Sequence, residues 1–169
     1  MLVRWVAGIL DRDLRTLRRE VEAYPLEAQL WQQVPGMPNT AGTLVLHLTG
    51  NVRFYVGSKL GGTGYARDRA AEFARRDVPR GELLEGIEAA RTELAGTFAR
   101  LDDDALPPEY PEVITGMRVA TDEYLMHLLT HFAYHLGQVD THRRLVTGDS
   151  LSAGAVRPAE LSSARPAKI

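Results

Sequence analysis

Four segments of this 169-residue chain repeat apolar residues at the spacing of an α-helix, and this pattern constrains the fold more than any other feature. The first predicted helix extends from about Gly8 to Tyr24, and Pro25 limits it because the residue before a proline disfavours the α region. A short helical turn is predicted over 26–31. Longer helices are predicted over 40–60, 80–101 and 122–147.

Residues that favour helix ends mark the boundaries of these segments. Asn39 and Thr121 are good N-cap residues for the second and fourth long helices, and acidic residues follow Thr121. Gly61 and Gly148 are predicted to end the same two helices. The glycine-rich run that begins at Gly61 is interpreted as a helix stop, because it lacks the strand and the lysine of a phosphate-binding loop.

The pattern of four helices predicts an all-α fold. We expect a four-helix bundle with a long crossover connection. Two connections, of about 18 residues over 61–79 and about 20 residues over 102–121, are longer than plain up-and-down bundles use. A crossover makes two consecutive helices parallel. A short hairpin within 112–119 is an alternative to irregular chain there. We expect a bundle domain over 1–148 and a C-terminal tail over 149–169, which has no helical period and packs on a dimer partner.

Composition excludes several classes of function. The net charge is −2, which gives no basic footprint for nucleic acid. The apolar start is too short to span a membrane and lacks the features of a signal peptide, so we expect a cytoplasmic protein without membrane partners. Cysteine is absent, so histidine, aspartate and glutamate are the ligands that remain for a metal ion.

Histidines form the candidate site. His131 and His135 are four residues apart and lie on one helix face, about 6 Å from each other. Two such imidazoles can bind one divalent ion, and His47 on the second long helix can add a third ligand while leaving open coordination positions. Asn51 and Gln138 are expected to orient these imidazoles. Hydrogen-bonded core histidines are the alternative interpretation.

Other polar residues lie near this pattern. His127 and Tyr124 share the stripe of His131 and are the only candidates for a catalytic base there; we interpret His127 as an interior or supporting histidine rather than a ligand. His142 is expected nearer the surface. Arg91 interrupts an apolar seam and is expected at the rim of the bundle or in the site.

The run His-x-x-x-His-x-Gly-Gln, within EYLMHLLTHFAYHLGQVDTHRRL, and the upstream LVLHLTGNVRFYVG resemble the DinB/YfiT-like superfamily over about residues 10–148. The resemblance implies a four-helix bundle with a long crossover, often dimeric, that binds a divalent ion through three side chains. By position these ligands are His47, His131 and His135.

The resemblance implies a metal-dependent enzyme, either a hydrolase or a transferase that uses a low-molecular-weight thiol as cofactor and acts on a small-molecule substrate. Thiol transfer is slightly favoured, since no general base is evident beside the ligands. A non-enzymatic, stress-associated metal-binding dimer is the alternative. Zinc and nickel are the favoured metals, and iron and cobalt also suit imidazole ligands.

Overall fold

The structure, a computed structural model, describes residues 1–167, and within that range it is all-helical. Five α-helices and short 3₁₀ or π segments account for its regular structure. A 3₁₀ turn covers Glu27–Trp31, as the sequence predicts, and a π-helical segment, Arg53–Ser58, extends the second helix. The α-helices are α1 (Leu2–Glu22), α2 (Ala41–Val52), α3 (Arg69–Ala74), α4 (Arg80–Phe98) and α5 (Thr121–Thr147).

The four long helices form a bundle in which α2 and α4 are parallel. Arg53 pairs with Glu93, and Thr49 lies beside Gly86, so positions along the two helices increase together. The connection between them is therefore a crossover, which confirms the expectation from its length.

α1 packs against α4 in the opposite direction and against α5 in the same direction. Arg80, at the start of α4, donates to the carbonyl of Tyr24, just after the end of α1, at 2.6 Å. Arg143, near the end of α5, donates to Glu20 near the end of α1 at 2.5 Å. The long helices thus run up, down, down and up.

Apolar side chains from all four long helices fill the centre of the bundle. The predicted stripe of α1, which includes Leu10, Leu14 and Leu17, is completely buried, because three- and four-residue steps return to the same face. Phe132 on α5 is equally buried. Among the described residues, no helix is long and apolar enough to cross a membrane.

Several helix ends differ from the sequence predictions, whereas the start of α4 and the end of α5 match them. α1 begins at Leu2 instead of Gly8, because the Asp103 carboxylate accepts hydrogen bonds from the backbone N–H groups of Leu2 and Val3. Thr40, not Asn39, caps α2 through a bond from the Thr43 N–H.

The ends of the later helices lie closer to their predictions. Thr121 is the first residue of α5 and Ala120 is its N-cap, so the predicted cap is wrong by one position. α4 ends at Phe98, three residues before the predicted end. Gly148 ends α5 as predicted, in a left-handed conformation with φ of 71° that favours glycine.

The two long connections carry local structure. The first contains α3, which the sequence did not predict and which the Asp68 side chain caps through the Ala71 N–H. The second folds back on itself through isolated backbone bridges, Ile114 with Met117 and Glu109 with Ala120. No strand forms in this part of the described chain, so the hairpin considered as an alternative within 112–119 is present only as a turn with these bridges.

The tail crosses back over the bundle as far as it is described. Arg19 on α1 donates to the carbonyls of Ala153 and Gly154, at 2.7 and 3.1 Å. Arg143 donates to the carbonyl of Leu151 at 2.7 Å. These contacts lie within one chain; the expected packing of the tail on a second subunit stays a prediction.

Candidate metal centre

The bundle brings together the three histidines that the sequence singles out. His47 lies in the middle of α2, and His131 and His135 lie one turn apart on the antiparallel helix α5. One ring nitrogen of each lies within 4.8 Å of those of the other two. The Nε2 atoms of His47 and His131 are 3.3 Å apart. The three imidazoles therefore converge on one point between the helices.

This spacing fits a divalent ion. Imidazole nitrogens bind zinc at about 2.0–2.1 Å, so two ligands at a tetrahedral angle stand about 3.4 Å apart. The 3.3 Å between His47 and His131 matches that separation. The site is partly open, since His47 is buried whereas His131 and His135 are only half-buried. The donor set is thus compatible with a bound ion that keeps coordination positions for other molecules.

The ring nitrogens on the far side of the cluster have different partners. Gln138 Oε1 lies 2.7 Å from His135 Nδ1, in the position expected of a residue that orients this imidazole. Glu72 Oε2 lies 3.1 Å from His47 Nδ1. His131 Nδ1 is buried without a hydrogen-bond partner within residues 1–167. Asn51 is buried, but its Oδ1 has no partner in the same range, so its orienting role stays a prediction.

The surroundings favour neutral imidazoles. Burial, together with the nearby His135 and His47, lowers the pKa of His131 to about 4. Burial also lowers the pKa of His135, although the hydrogen bond with Gln138 opposes the shift. A neutral imidazole has the free lone pair that a metal ligand needs. At neutral pH these two side chains are therefore ready to bind a metal without first losing a proton.

The candidate catalytic residues lie beside the cluster. The ring of Tyr124 stacks on His127 at 5.6 Å between centroids, and the His127 ring is 6.1 Å from that of His131. Tyr124 is buried, and burial raises the pKa of its phenol, so it stays protonated at neutral pH and does not serve as a base. His127 is exposed, so it is not the interior histidine we expected.

A cavity of about 280 Å³ adjoins these two residues. Side chains of Ile114, Met117 and Val119, from the second long connection, form its apolar part. Tyr124 and His127 form the wall on the α5 side. Since His127 is one turn from His131, the cavity lies along the same helix face as the cluster.

Two further sequence expectations are settled by contacts. His142 is completely buried rather than near the surface: Tyr24 Oη lies 2.8 Å from its Nδ1, and its Nε2 lies 2.8 Å from the carbonyl of Gln32. Arg91 is away from the histidines and pairs with Asp11 and Glu88 at the edge of the bundle. Arg91 was expected either at the rim of the bundle or in the site, and it lies at the rim.

Two further residues beside the cluster, Glu72 and Arg67, were not predicted from the sequence. Both lie in the crossover between α2 and α4, and their side chains are only 7% exposed. Arg67 donates to the two carboxylate oxygens of Glu72 at 2.7 and 2.8 Å. Burial acts to raise the pKa of Glu72, but hydrogen bonds from Arg67 and His47 outweigh it and hold the pKa below its ordinary value. No periodicity marks this segment, so spacing could not place it beside His47.

Comparisons with known proteins bear on this site. A family model described as MST, mycothiol-S-transferase, matches residues 5–148. The matched range covers the four long helices, apart from the first three residues of α1, and includes all three clustered histidines. Neither the curated proteins nor the solved structures contain a significant match.

Proposed function

Because the chain belongs to the mycothiol S-transferase family, within the DinB/YfiT-like metal-binding superfamily, we propose that it is a metal-dependent thiol S-transferase. Its co-substrate is mycothiol or a similar low-molecular-weight thiol, and its second substrate is a small electrophile. The observation that carries the proposal is the convergence of His47, His131 and His135, with one Nε2 pair 3.3 Å apart.

In this proposal the three imidazoles hold one divalent ion, zinc or nickel in preference to iron or cobalt. A bound ion of this kind lowers the pKa of a coordinated thiol and so supplies a thiolate nucleophile at neutral pH. Burial keeps His131 and His135 neutral, and Gln138 accepts a hydrogen bond from the Nδ1–H of His135 and so orients its ring.

The charge balance of the site favours an anionic ligand. Three neutral imidazoles leave the charge of a divalent ion uncompensated. The nearby carboxylate, Glu72, is already paired with the guanidinium of Arg67. A thiolate that binds at an open position therefore meets a net positive charge in a half-buried site.

The residues around the cluster favour thiol transfer over hydrolysis. Hydrogen bonds from Arg67 and His47 hold the pKa of Glu72 below its ordinary value, so this carboxylate is a weak base toward water. Tyr124 stays protonated. The chain has no cysteine, so the nucleophilic sulfur has to arrive with a co-substrate. We place the electrophile in the cavity beside His127, one helical turn along α5 from His131.

Calorimetry tests the proposal. Binding of mycothiol as thiolate releases a proton, so titration of the zinc-loaded protein in two buffers of different ionisation enthalpy gives different apparent heats. Protein stripped of metal should bind no mycothiol. Binding without proton release contradicts metal-bound thiolate.

Two other outcomes correspond to the other candidate functions. Cleavage of a small ester or amide by the metal-loaded protein alone, without mycothiol binding, identifies a hydrolase; His127, which is exposed, is then the candidate base. Stoichiometric metal with neither activity identifies a metal-binding protein that is not an enzyme.

A further inference from the structure

The buried carboxylate of Glu72 connects the crossover to the metal centre. Its Oε2 lies 3.1 Å from His47 Nδ1 and 2.8 Å from Nη2 of Arg67, while its Oε1 accepts from Nε of Arg67 at 2.7 Å. His47, Glu72 and Arg67 have side chains that are only 6–7% exposed. Water therefore has little access to these hydrogen bonds, and their geometry is set by the protein.

The bond to Glu72 determines which nitrogen of His47 is free. An ionised carboxylate only accepts hydrogen bonds, so the facing Nδ1 carries the proton. Nη2 of Arg67 also lies 3.2 Å from Nδ1, but a protonated Nδ1 cannot accept from it, and this contact is a close approach only. The lone pair of His47 is then on Nε2, the atom that faces His131.

Glycine at position 50 of α2 makes the position of Glu72 possible. A Cβ atom at Gly50 would lie 2.9 Å from the carboxylate carbon of Glu72, and closer still to Oε1. Any side chain there would compete with the carboxylate for the same space. The carboxylate thus lies directly against the backbone of α2, one turn from His47.

We propose that Glu72 is a positioning residue for the metal centre: it fixes the tautomer and ring orientation of His47, Arg67 holds its carboxylate, and Gly50 provides its space. The inference rests on the metal-binding part of the proposed function. It also assigns a role to the crossover, which supplies the outer support of a ligand that belongs to the bundle.

Substitution of the carboxylate tests this role. Carboxylates that support a metal-bound histidine typically contribute about 10- to 100-fold to metal affinity. We expect Glu72→Gln to weaken zinc binding by about this factor in competition with a chelator at pH 7.5. Glu93→Gln is the matched control, because it breaks another Arg–Glu pair, that of Glu93 on α4 with Arg53 in the π-helical segment, which touches no histidine. Its zinc affinity should equal that of the wild type.

Gly50→Ala distinguishes positioning from general destabilisation. Alanine has a higher helix propensity than glycine, so the substitution itself does not weaken α2. We expect it to lower zinc affinity as Glu72→Gln does, because the new methyl group displaces the carboxylate. In a Glu72→Ala background no carboxylate occupies the space beside residue 50. There Gly50→Ala should cause no further loss of zinc affinity.

The outcomes separate this inference from the proposed function. A wild-type protein that binds no metal refutes the proposed function itself. If the wild type binds zinc and both Glu72→Gln and Gly50→Ala bind it equally well, the positioning role is wrong. The role is also wrong if the affinities fall only in proportion to the folded fraction, measured by circular dichroism on the same metal-free samples.

Discussion

His127 and His131 are one turn apart on α5, but only His131 directs a nitrogen toward His47. We therefore predict that His131→Ala removes most of the bound metal, whereas His127→Ala retains it. Elemental analysis of the two purified variants measures the difference. Because the substitutions are chemically identical and four residues apart, each serves as the control for the other. Stoichiometric metal in His131→Ala would refute the ligand assignment.

His142 should make the metal-free protein sensitive to acid. It is buried as a neutral imidazole, with Nε2 donating to the carbonyl of Gln32 and Nδ1 accepting from Tyr24, and burial lowers its pKa even though the bond to Gln32 opposes the shift. The unfolded chain, with a histidine pKa of about 6.5, binds a proton that the folded chain does not. The free energy of unfolding is therefore predicted to fall as pH drops below about 6.5.

Urea denaturation in the presence of a chelator, over a series of pH values, measures this effect. His142→Gln removes the titrating group, so its unfolding free energy should depend less steeply on pH than that of the wild type. Equal slopes in the two proteins would contradict the prediction.

Part of the candidate site could be predicted from the sequence, residue by residue. The four-residue spacing of His131 and His135 places two imidazoles together through helix geometry alone. His47 was a candidate third ligand from its place on the second helix, and the resemblance supported it, since its distance from the pair depends on how two helices pack. Glu72 lies 25 residues from His47 in an irregular connection, so only the tertiary fold brings the two together.

Among the helices, α1 and α5 are joined by a buried ion pair. Arg143 and Glu20 are 1% and 0% exposed. Loss of one partner leaves a buried charge without compensation, which typically costs about 3–5 kcal/mol. We predict that Arg143→Leu lowers the free energy of unfolding by that amount in urea denaturation.

The neighbouring arginine provides the control. Arg144 pairs with Asp140 in contact with solvent, so Arg144→Leu should change the stability much less than Arg143→Leu. A similar loss of unfolding free energy in both variants would show that the buried pair stabilises the fold no more than the exposed one.

Helices were predicted best where local periodicity decides them. All four long helices were expected at their positions, and Gly148 ends α5 as predicted. The start of α1 was missed because the carboxylate that accepts from its first N–H groups, Asp103, lies about 100 residues away in the connection after α4. α3 has only six residues, too few for an apolar period to identify it.

For the whole molecule we predict a homodimer, as the superfamily resemblance implies. Sedimentation of the full chain at micromolar concentration should give twice the monomer mass. A chain that ends at Gly148 tests the contribution of the tail, which in one chain already contacts Arg19 of α1. A monomer in both cases would refute the prediction.

In the proposed function, one metal ion held by three histidines activates a small thiol for attack on an electrophile. The most direct measurement is the rate at which mycothiol forms a thioether with a fluorogenic alkyl halide. It should be measured with wild-type protein stripped of metal, with the same protein reloaded with zinc or nickel, and with His131→Ala. We predict turnover by the reloaded wild type and none above background by the other two. Equal rates with and without metal would contradict it.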